Sequence, residues 1–253
     1  MAQQKVYWDL WKQDKIYLLN CEWNLAMIYD ILKLFSQNIQ KNSLIVNTIL
    51  ETQMSFNIVF IQEPPWLTIY TILSSTSSEG EELVSISHYP NWLTFVRNPT
   101  NQLDSLRVLT YINICTSRLC FSWWNNIFNH RNISCISFFN QESIFFLIKI
   151  YSDLSQSALK YLKDTGTNIH NIIIITGDFN IRDSLWDLNF PFHSIHSDIL
   201  FNIADSFSLA ISKPTENFPT RFLDNNQNSN SVLDLVFLWP SFWEFNPHHI
   251  HLE

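Results

Sequence analysis

Glycine is scarce in this chain, and so are charged residues and long apolar runs. Only three of the 253 residues are glycine and only 15% are charged, against about a quarter in an ordinary globular domain. No uncharged apolar run reaches the length of about 18 residues that a membrane helix needs, and the first residues lack the pattern of a secretory signal. We therefore expect an intracellular protein, nuclear or cytoplasmic, that neither enters a membrane nor is secreted.

The four cysteines form no recognisable framework. Cys21, Cys115, Cys120 and Cys135 have neither the spacing of metal ligands nor that of a disulfide-rich domain, so we interpret them as free thiols in a reducing compartment. The net charge of −8 argues against a protein that grips nucleic acid through a large basic surface. It leaves room for an enzyme whose bound metal supplies the local positive charge.

Apolar sequence is what the chain has in quantity. Hydrophobic residues make up 46% and aromatic residues 15%, and this length suits one large domain. Many short apolar runs with a few helical stripes between them indicate two packed sheets flanked by helices. The predicted strands are 31–40, 57–64, 92–97, 106–113, 117–122, 132–139, 144–150, 171–177 and 231–238, the helices 41–53, 155–167 and 197–210, and the loops 67–91 and 214–230.

One of the rare glycines stands where a buried strand meets polar residues. Gly177 follows the apolar run 172–176 and precedes Asp178 and Asn180. Glycine permits a sharp exit from the sheet, and it lets the strand deliver Asp178 and Asn180 without a Cβ in the way. Residues two apart in an extended chain face the same side. A carboxylate and an amide on one face suit a hard divalent cation and a phosphate oxygen. The simpler alternative is a strand that ends in an Asx turn.

Five short motifs occur in an order and spacing that resemble a known superfamily. They are SQN (36–38), IQEP (61–64), IYSD (150–153), TGDFNIRDSLWD (176–187) and SVLDLVF (231–237). Together they resemble the endonuclease/exonuclease/phosphatase superfamily (DNase I-like), and more narrowly the endonuclease domains of non-LTR retrotransposons abundant in fungal genomes. The resemblance runs from about residue 34 to the C-terminus. It implies an α+β fold, a four-layer α/β/β/α sandwich of two mixed sheets flanked by helices.

The resemblance also implies roles for individual side chains. Glu63 and Asn38 would form the site for Mg²⁺ or Mn²⁺, with Glu63 as the main ligand. Tyr151 would contact the scissile phosphate, Asp178 would orient or deprotonate the attacking water, and Asn180 would hold the phosphate. The implied substrate is DNA, with a reverse-transcriptase domain in the parent element.

The chain departs from the superfamily pattern in three places. The acid matched by Asp234 normally pairs with the histidine of a terminal Ser-Asp-His motif that one more strand accompanies. This chain stops at NPHHIHLE, and the histidines there do not stand in the motif. We therefore expect a C-terminally truncated domain over 31–253 that lacks the last strand and nicks DNA poorly, preceded by a poorly matched extension over 1–30. Lys149 stands where the superfamily usually carries asparagine.

Three functions stay open on the sequence alone. A metal-dependent endonuclease, a hydrolase of phosphodiester bonds, is the expected one. A catalytically dead remnant or binding module of the same fold is the second, and a phosphatase acting on a small or lipid phosphate is the third, because substrate choice lies in the surface loops. In each case the motif residues should converge at one end of the two sheets.

Overall fold

The computed structural model describes residues 34–53, 55–65, 89–95, 106–115, 127–139, 144–165, 169–187, 190–212 and 234–239, with short strands between and before these ranges. The strands are β1 (Lys5–Tyr7), β2 (Leu10–Trp11), β3 (Ile16–Tyr17), β4 (Asn20–Glu22), β5 (Leu34–Asn38), β6 (Ile58–Gln62), β7 (Ile69–Leu73), β8 (Glu81–Ser85), β9 (Trp92–Phe95), β10 (Val108–Asn113), β11 (Cys120–Trp123), β12 (Ile133–Phe139), β13 (Ile144–Tyr151), β14 (Ile172–Asp178), β15 (Ala210–Ser212) and β16 (Asp234–Leu238). The helices are α1 (Ser43–Thr52), α2 (Ser157–Thr165) and α3 (Ile195–Ser206).

Two mixed sheets form the centre of the molecule. The first has four strands in the order β5-β6-β10-β9, with β5 and β6 parallel. The second has six strands in the order β11-β12-β13-β14-β16-β15, with β13 and β14 parallel. All other neighbours within these two sheets are antiparallel.

The two sheets face each other across an apolar layer. Alternate residues of each strand point to this layer, where Phe60 and Ile112 of the four-stranded sheet pack with Ile136, Leu147 and Val236 of the six-stranded sheet. Each fully buried aliphatic or aromatic side chain of this kind stabilises the fold by about 1.5–3 kcal/mol.

Helices cover the outer faces of both sheets. Helix α1 begins after Asn42, whose side-chain oxygen accepts a hydrogen bond from the N–H of Leu44 at 3.0 Å, a favoured N-cap. Its buried stripe packs on the outer face of the four-stranded sheet, while α2 and α3 pack on the outer face of the six-stranded sheet. The predicted four-layer sandwich is therefore confirmed.

The prediction of a loop over 67–91 was wrong. Strands β7 and β8 lie within it and pair antiparallel; the serine-rich segment between them concealed the two short runs. Strand β15 was also not predicted. Residues 1–30 contain two short strand pairs, and their separation as an extension stays a prediction.

Other expectations fall on parts of the chain that the structure does not describe. Residues 214–230, predicted as a loop, lie outside the described residues, and so do His248, His249 and His251 at the C-terminus. Among the described residues, Cys115 and Cys135 are free thiols. Within the same part of the chain, no helix is both long and apolar enough to cross a membrane.

Candidate active site

Both sheets change from apolar to polar at the same end of the space between them. In β13 the inward positions run from Leu147 through Lys149 to Tyr151. The strand register places Tyr151 beside Asp178 and Asp178 opposite Asp234. Three polar side chains of neighbouring strands therefore lie side by side at one end of the six-stranded sheet.

The facing edge of the four-stranded sheet contributes Asn38 and Glu63. Asn38 ends β5 opposite Gln62, and Glu63 follows directly after β6. Glu63 has a φ of +46°, which is uncommon for a residue other than glycine. Two backbone hydrogen bonds hold it there, from its own N–H to the carbonyl of Arg107 at 2.9 Å and from the N–H of Lys41 to its carbonyl at 2.8 Å. Such strained conformations cluster at functional sites.

The Glu63 carboxylate meets a cation and a phenol. Arg107 donates to Oε1 of Glu63 at 2.7 Å, and the hydroxyl of Tyr151 donates to the same oxygen at 3.2 Å. The Arg107 guanidinium also lies 5.5 Å from the centre of the Tyr151 ring. Burial, and then the negative charges of Glu63 and Asp178, raise the pKa of Tyr151 to about 12. The phenol is therefore a hydrogen-bond donor at neutral pH.

Asp178 is the most buried carboxylate of this group. Burial, and then the facing charge of Asp234, raise the pKa of Asp178 to about 7, although hydrogen bonds from the Asn180 N–H and the Asn38 side chain and the charge of Lys149 oppose this rise. The bond from Asn180 is 3.1 Å long. A carboxylate with a raised pKa in a cleft is suited to accept a proton near neutral pH.

Asn180 is held in a fixed orientation beside Asp178. Its φ is +50°, a conformation that asparagine tolerates better than most residues. Its Nδ2 donates to the backbone carbonyl of Ser152 at 2.7 Å. An amide nitrogen carries two protons, so this bond orients the group while one N–H stays available to a ligand.

Lys149 lies beneath these groups and is completely buried. Its Nζ donates to Oγ of Ser36 at 2.5 Å. The Gln62 amide is assigned the orientation in which its oxygen faces two donors, and Oε1 then accepts from Nζ of Lys149 at 2.7 Å and from the backbone N–H of Asp178 at 2.9 Å. Burial lowers the pKa of Lys149 to about 8, while the charges of Asp234 and Asp178 act in the opposite direction. The ammonium is therefore the predominant form at neutral pH.

Of the two reasons that the sequence suggested for Gly177, the structure supports the absence of a Cβ. Its φ does not lie in the left-handed region, so conformational freedom is not the reason for glycine. A Cβ at this position would lie 2.1 Å from the backbone oxygen of Ile150, its partner in the parallel ladder. Glycine therefore lets β14 approach β13 closely just before Asp178.

The structure brings all six predicted site residues together at one end of the two facing sheets, and this polar group is called the cleft below. Asn38 and Glu63 come from the four-stranded sheet, and the other four, Tyr151, Asp178, Asn180 and Asp234, come from the six-stranded sheet or directly follow it. Their chemical roles stay predictions. Among the described residues, no group of three or more histidine, cysteine, aspartate or glutamate side chains is arranged as a metal site.

Sequence reasoning missed the contributions of Arg107, Gln62 and Ser36, and it gave no role to Lys149. Ser36 and Gln62 stand inside the motifs SQN and IQEP, but the motifs assigned them no role. For Lys149 the signal is that a lysine in the alternating run FFLIKIY falls on the same strand face as Leu147. Nothing in the sequence pairs Arg107 with Glu63, because the two are 44 residues apart.

Comparison with known proteins supports the architecture. A family model described as "Endonuclease-reverse transcriptase" matches residues 133–249, which is less than half of the chain. No curated protein matches the sequence significantly. Among solved structures, the endonuclease domain of TRAS1, a telomere-specific non-LTR retrotransposon, aligns with a TM-score of 0.58 and 16% identity over 82% of this chain and 84% of that chain.

The fold is DNase I-like. Looser likenesses are those to humanized D. rerio TDP2, with a TM-score of 0.45 and 12% identity over 82% of this chain and 83% of that one, and to an endonuclease/exonuclease/phosphatase family protein from Bacteroides thetaiotaomicron, with a TM-score of 0.41 and 13% identity over 78% and 72%. At these identities the likeness concerns the fold alone, so the chemistry must be argued from the residues of this chain.

Proposed function

We propose that the polar cleft hydrolyses phosphodiester bonds of DNA, and that the chain is an endonuclease of the retrotransposon type. The observation that carries this proposal is the convergence of Glu63 from one sheet with Tyr151 and Asp178 from the other. The likeness of the fold to a retrotransposon endonuclease domain and the family-model match support it. A reverse-transcriptase domain in the parent element belongs to the same proposal.

The donor atoms in the cleft fit a hard divalent cation. Mg²⁺ usually takes one or two protein carboxylates and completes its coordination with water and phosphate oxygens, so it does not need the three acidic or histidine ligands of a closed metal site. Glu63 and Asn38 would hold Mg²⁺ or Mn²⁺. The bound cation would neutralise charge on the phosphoryl group and the leaving oxygen. Since Arg107 already contacts Glu63, we expect the cation to compete with this guanidinium.

The chain's own groups supply the remaining chemistry. Asp178 would accept a proton from the attacking water, because its raised pKa suits a general base near neutral pH. The second amide N–H of Asn180 and the protonated phenol of Tyr151 would donate hydrogen bonds to the phosphate, where preorganised donors stabilise developing charge. Asp234, opposite Asp178, would pair with a cationic group on the other side of the phosphate. In the superfamily this cationic group is a histidine.

Nicking of supercoiled plasmid DNA tests the proposal. With enzyme in excess over DNA, so that slow cleavage is detected, we expect relaxed circles in Mg²⁺ and none in EDTA. Glu63→Gln should remove the activity. The matched control Glu51→Gln alters an exposed glutamate of α1 and should cleave like the wild type. Metal-independent cleavage, or equal cleavage by Glu63→Gln, would contradict the proposal.

A further inference from the structure

Lys149 is buried to a degree that lysine rarely reaches. Its side chain is 1% exposed, and lysine is almost never fully buried unless it is paired. It lies in the middle of the molecule because β13 alternates and its face toward the opposite sheet includes Leu147, Lys149 and Tyr151. The strand therefore carries an ammonium group into the floor of the cleft.

The contacts of this ammonium cross from one sheet to the other. Lys149 belongs to the six-stranded sheet, while Ser36 and Gln62, which accept its protons at 2.5 and 2.7 Å, belong to the four-stranded sheet. Gln62 in turn accepts the backbone N–H of Asp178 at 2.9 Å. A continuous chain of hydrogen bonds thus joins Lys149 to the backbone of the proposed general base.

The ammonium also lies within the field of two carboxylates. Asp178 and Asp234 are directly opposite each other in the antiparallel ladder of β14 and β16, and like charges in such positions repel. Both attract Lys149. Burying any one of these charges is costly unless an opposite charge accompanies it. The ammonium and the two carboxylates therefore each offset part of the cost of burying the other.

We propose that Lys149 is a positioning residue, whose ammonium offsets the charges of Asp178 and Asp234 and, through Gln62, fixes the backbone of Asp178 at the cleft. This inference deepens the proposed function and rests on it. Lys149 does not touch the substrate, since it is buried below the cleft.

A double-mutant cycle between Lys149 and Asp234 tests the charge pairing without reference to activity. In urea unfolding, Lys149→Met should lower the midpoint. Asp234→Asn should then shift the midpoint upward more in the Lys149→Met background than in the wild type, because it removes a carboxylate that has lost its cation. Effects that simply add would overturn the proposal.

Ser134→Ala is the matched control for this cycle. Ser134 is a buried neutral residue directly opposite Lys149 in the β12–β13 ladder, and its hydroxyl bonds to Thr110 at 2.8 Å. Asp234→Asn should shift the midpoint equally in the Ser134→Ala background and in the wild type. If Lys149→Met does not fold, Lys149→Gln replaces it in the cycle, and absence of coupling there overturns the proposal as well.

Kinetics test the positioning role. Per folded molecule, Lys149→Met should lower kcat by about 10²-fold, the order expected for a displaced catalytic group, with KM for DNA unchanged. A purely structural lysine would change the folded fraction and leave kcat per folded molecule intact, which would overturn the positioning role. If the wild type shows no metal-dependent nicking, the proposed function fails, and the urea cycle still decides whether Lys149 compensates the two aspartates.

Discussion

The two ends of the space between the sheets are built from the same strands and differ in almost everything else. At one end Leu34 lies beside Ile58, and Ile58 lies beside Ile112, in an apolar layer. At the other end the same alternation of inward positions delivers Asn38 and Asp178. Stability accumulates at the first end because apolar surface leaves water there. At the second end each buried charge opposes folding until another charge or a hydrogen bond accompanies it.

The comparison shows how the polar end is tolerated. The polar end holds three carboxylates, those of Glu63, Asp178 and Asp234. Two cations accompany them: Arg107 at the rim and Lys149 from below. One negative charge is in excess when all five groups are ionised, which is a favourable setting for a divalent cation. The acids of the cleft are therefore suited to chemistry more than to stability, and the apolar end must supply the difference.

Gly177→Ala should have the largest effect on stability, because β13 and β14 approach each other closely at Gly177. A Cβ there would lie 2.1 Å from the Ile150 oxygen, a contact that only backbone movement relieves. We expect a loss of more than about 4 kcal/mol in the free energy of unfolding, in the exceptional range for one substitution. Urea denaturation measures it, with Ile175→Val in the same strand as the mild control. A Gly177→Ala protein as stable as Ile175→Val would contradict the close-approach explanation.

Asp178→Asn should separate function from stability. We expect kcat for nicking to fall by about 10²–10⁴-fold, as for loss of a general base, while the free energy of unfolding stays equal or rises, because a buried carboxylate opposite Asp234 is removed. Asp205→Asn, an exposed aspartate of α3, should change neither quantity. A strongly destabilised Asp178→Asn protein would show that this carboxylate supports the fold.

The apolar runs of the sequence predicted two packed sheets flanked by helices, and the resemblance to the superfamily supplied the six candidate residues, whose roles stay predictions. The sequence could not predict the ion pair of Glu63 with Arg107, since that contact depends on how β6 and β10 align in space. It predicted that Gly177 keeps a Cβ out of the way, but it could not identify the obstructing atom, because that oxygen belongs to another strand. The hairpin β7–β8 was missed because its strands flank a long serine-rich segment.

Asp153 lies near the polar end, but unlike the acids of that end it stabilises the fold. Burial alone would raise its pKa, but hydrogen bonds from Ser155, Ser157 and Asn132 outweigh burial and lower the pKa to about 2. A lowered pKa means that the stabilisation is present above the ordinary value of 3.8 and is lost as the pH falls toward 2.

We expect this pH change to lower the free energy of unfolding by up to about 2 kcal/mol, less the part that solvent screens at this partly exposed carboxylate. Urea midpoints measured from pH 5 down to pH 2 should show it in the wild type and show a flatter dependence in Asp153→Asn. Parallel curves for the two proteins would contradict the assignment.

Ile136→Val should have the smallest effect. Ile136 is fully buried between the sheets, and removal of one methylene from such a site costs about 1 kcal/mol. The nicking rate per folded molecule should not change, because the apolar layer takes no part in the chemistry. A lower nicking rate in fully folded Ile136→Val would show that packing at the apolar end affects the chemistry at the polar end.

Calorimetric titration of Mn²⁺ tests most directly the claim that the polar end is a metal-dependent phosphodiesterase site. The account predicts binding to the wild type and to Glu51→Gln with the same affinity, and at least about tenfold weaker binding, or about 1.4 kcal/mol, to Glu63→Gln. Equal affinity in the wild type and Glu63→Gln, or no binding to the wild type, would contradict it.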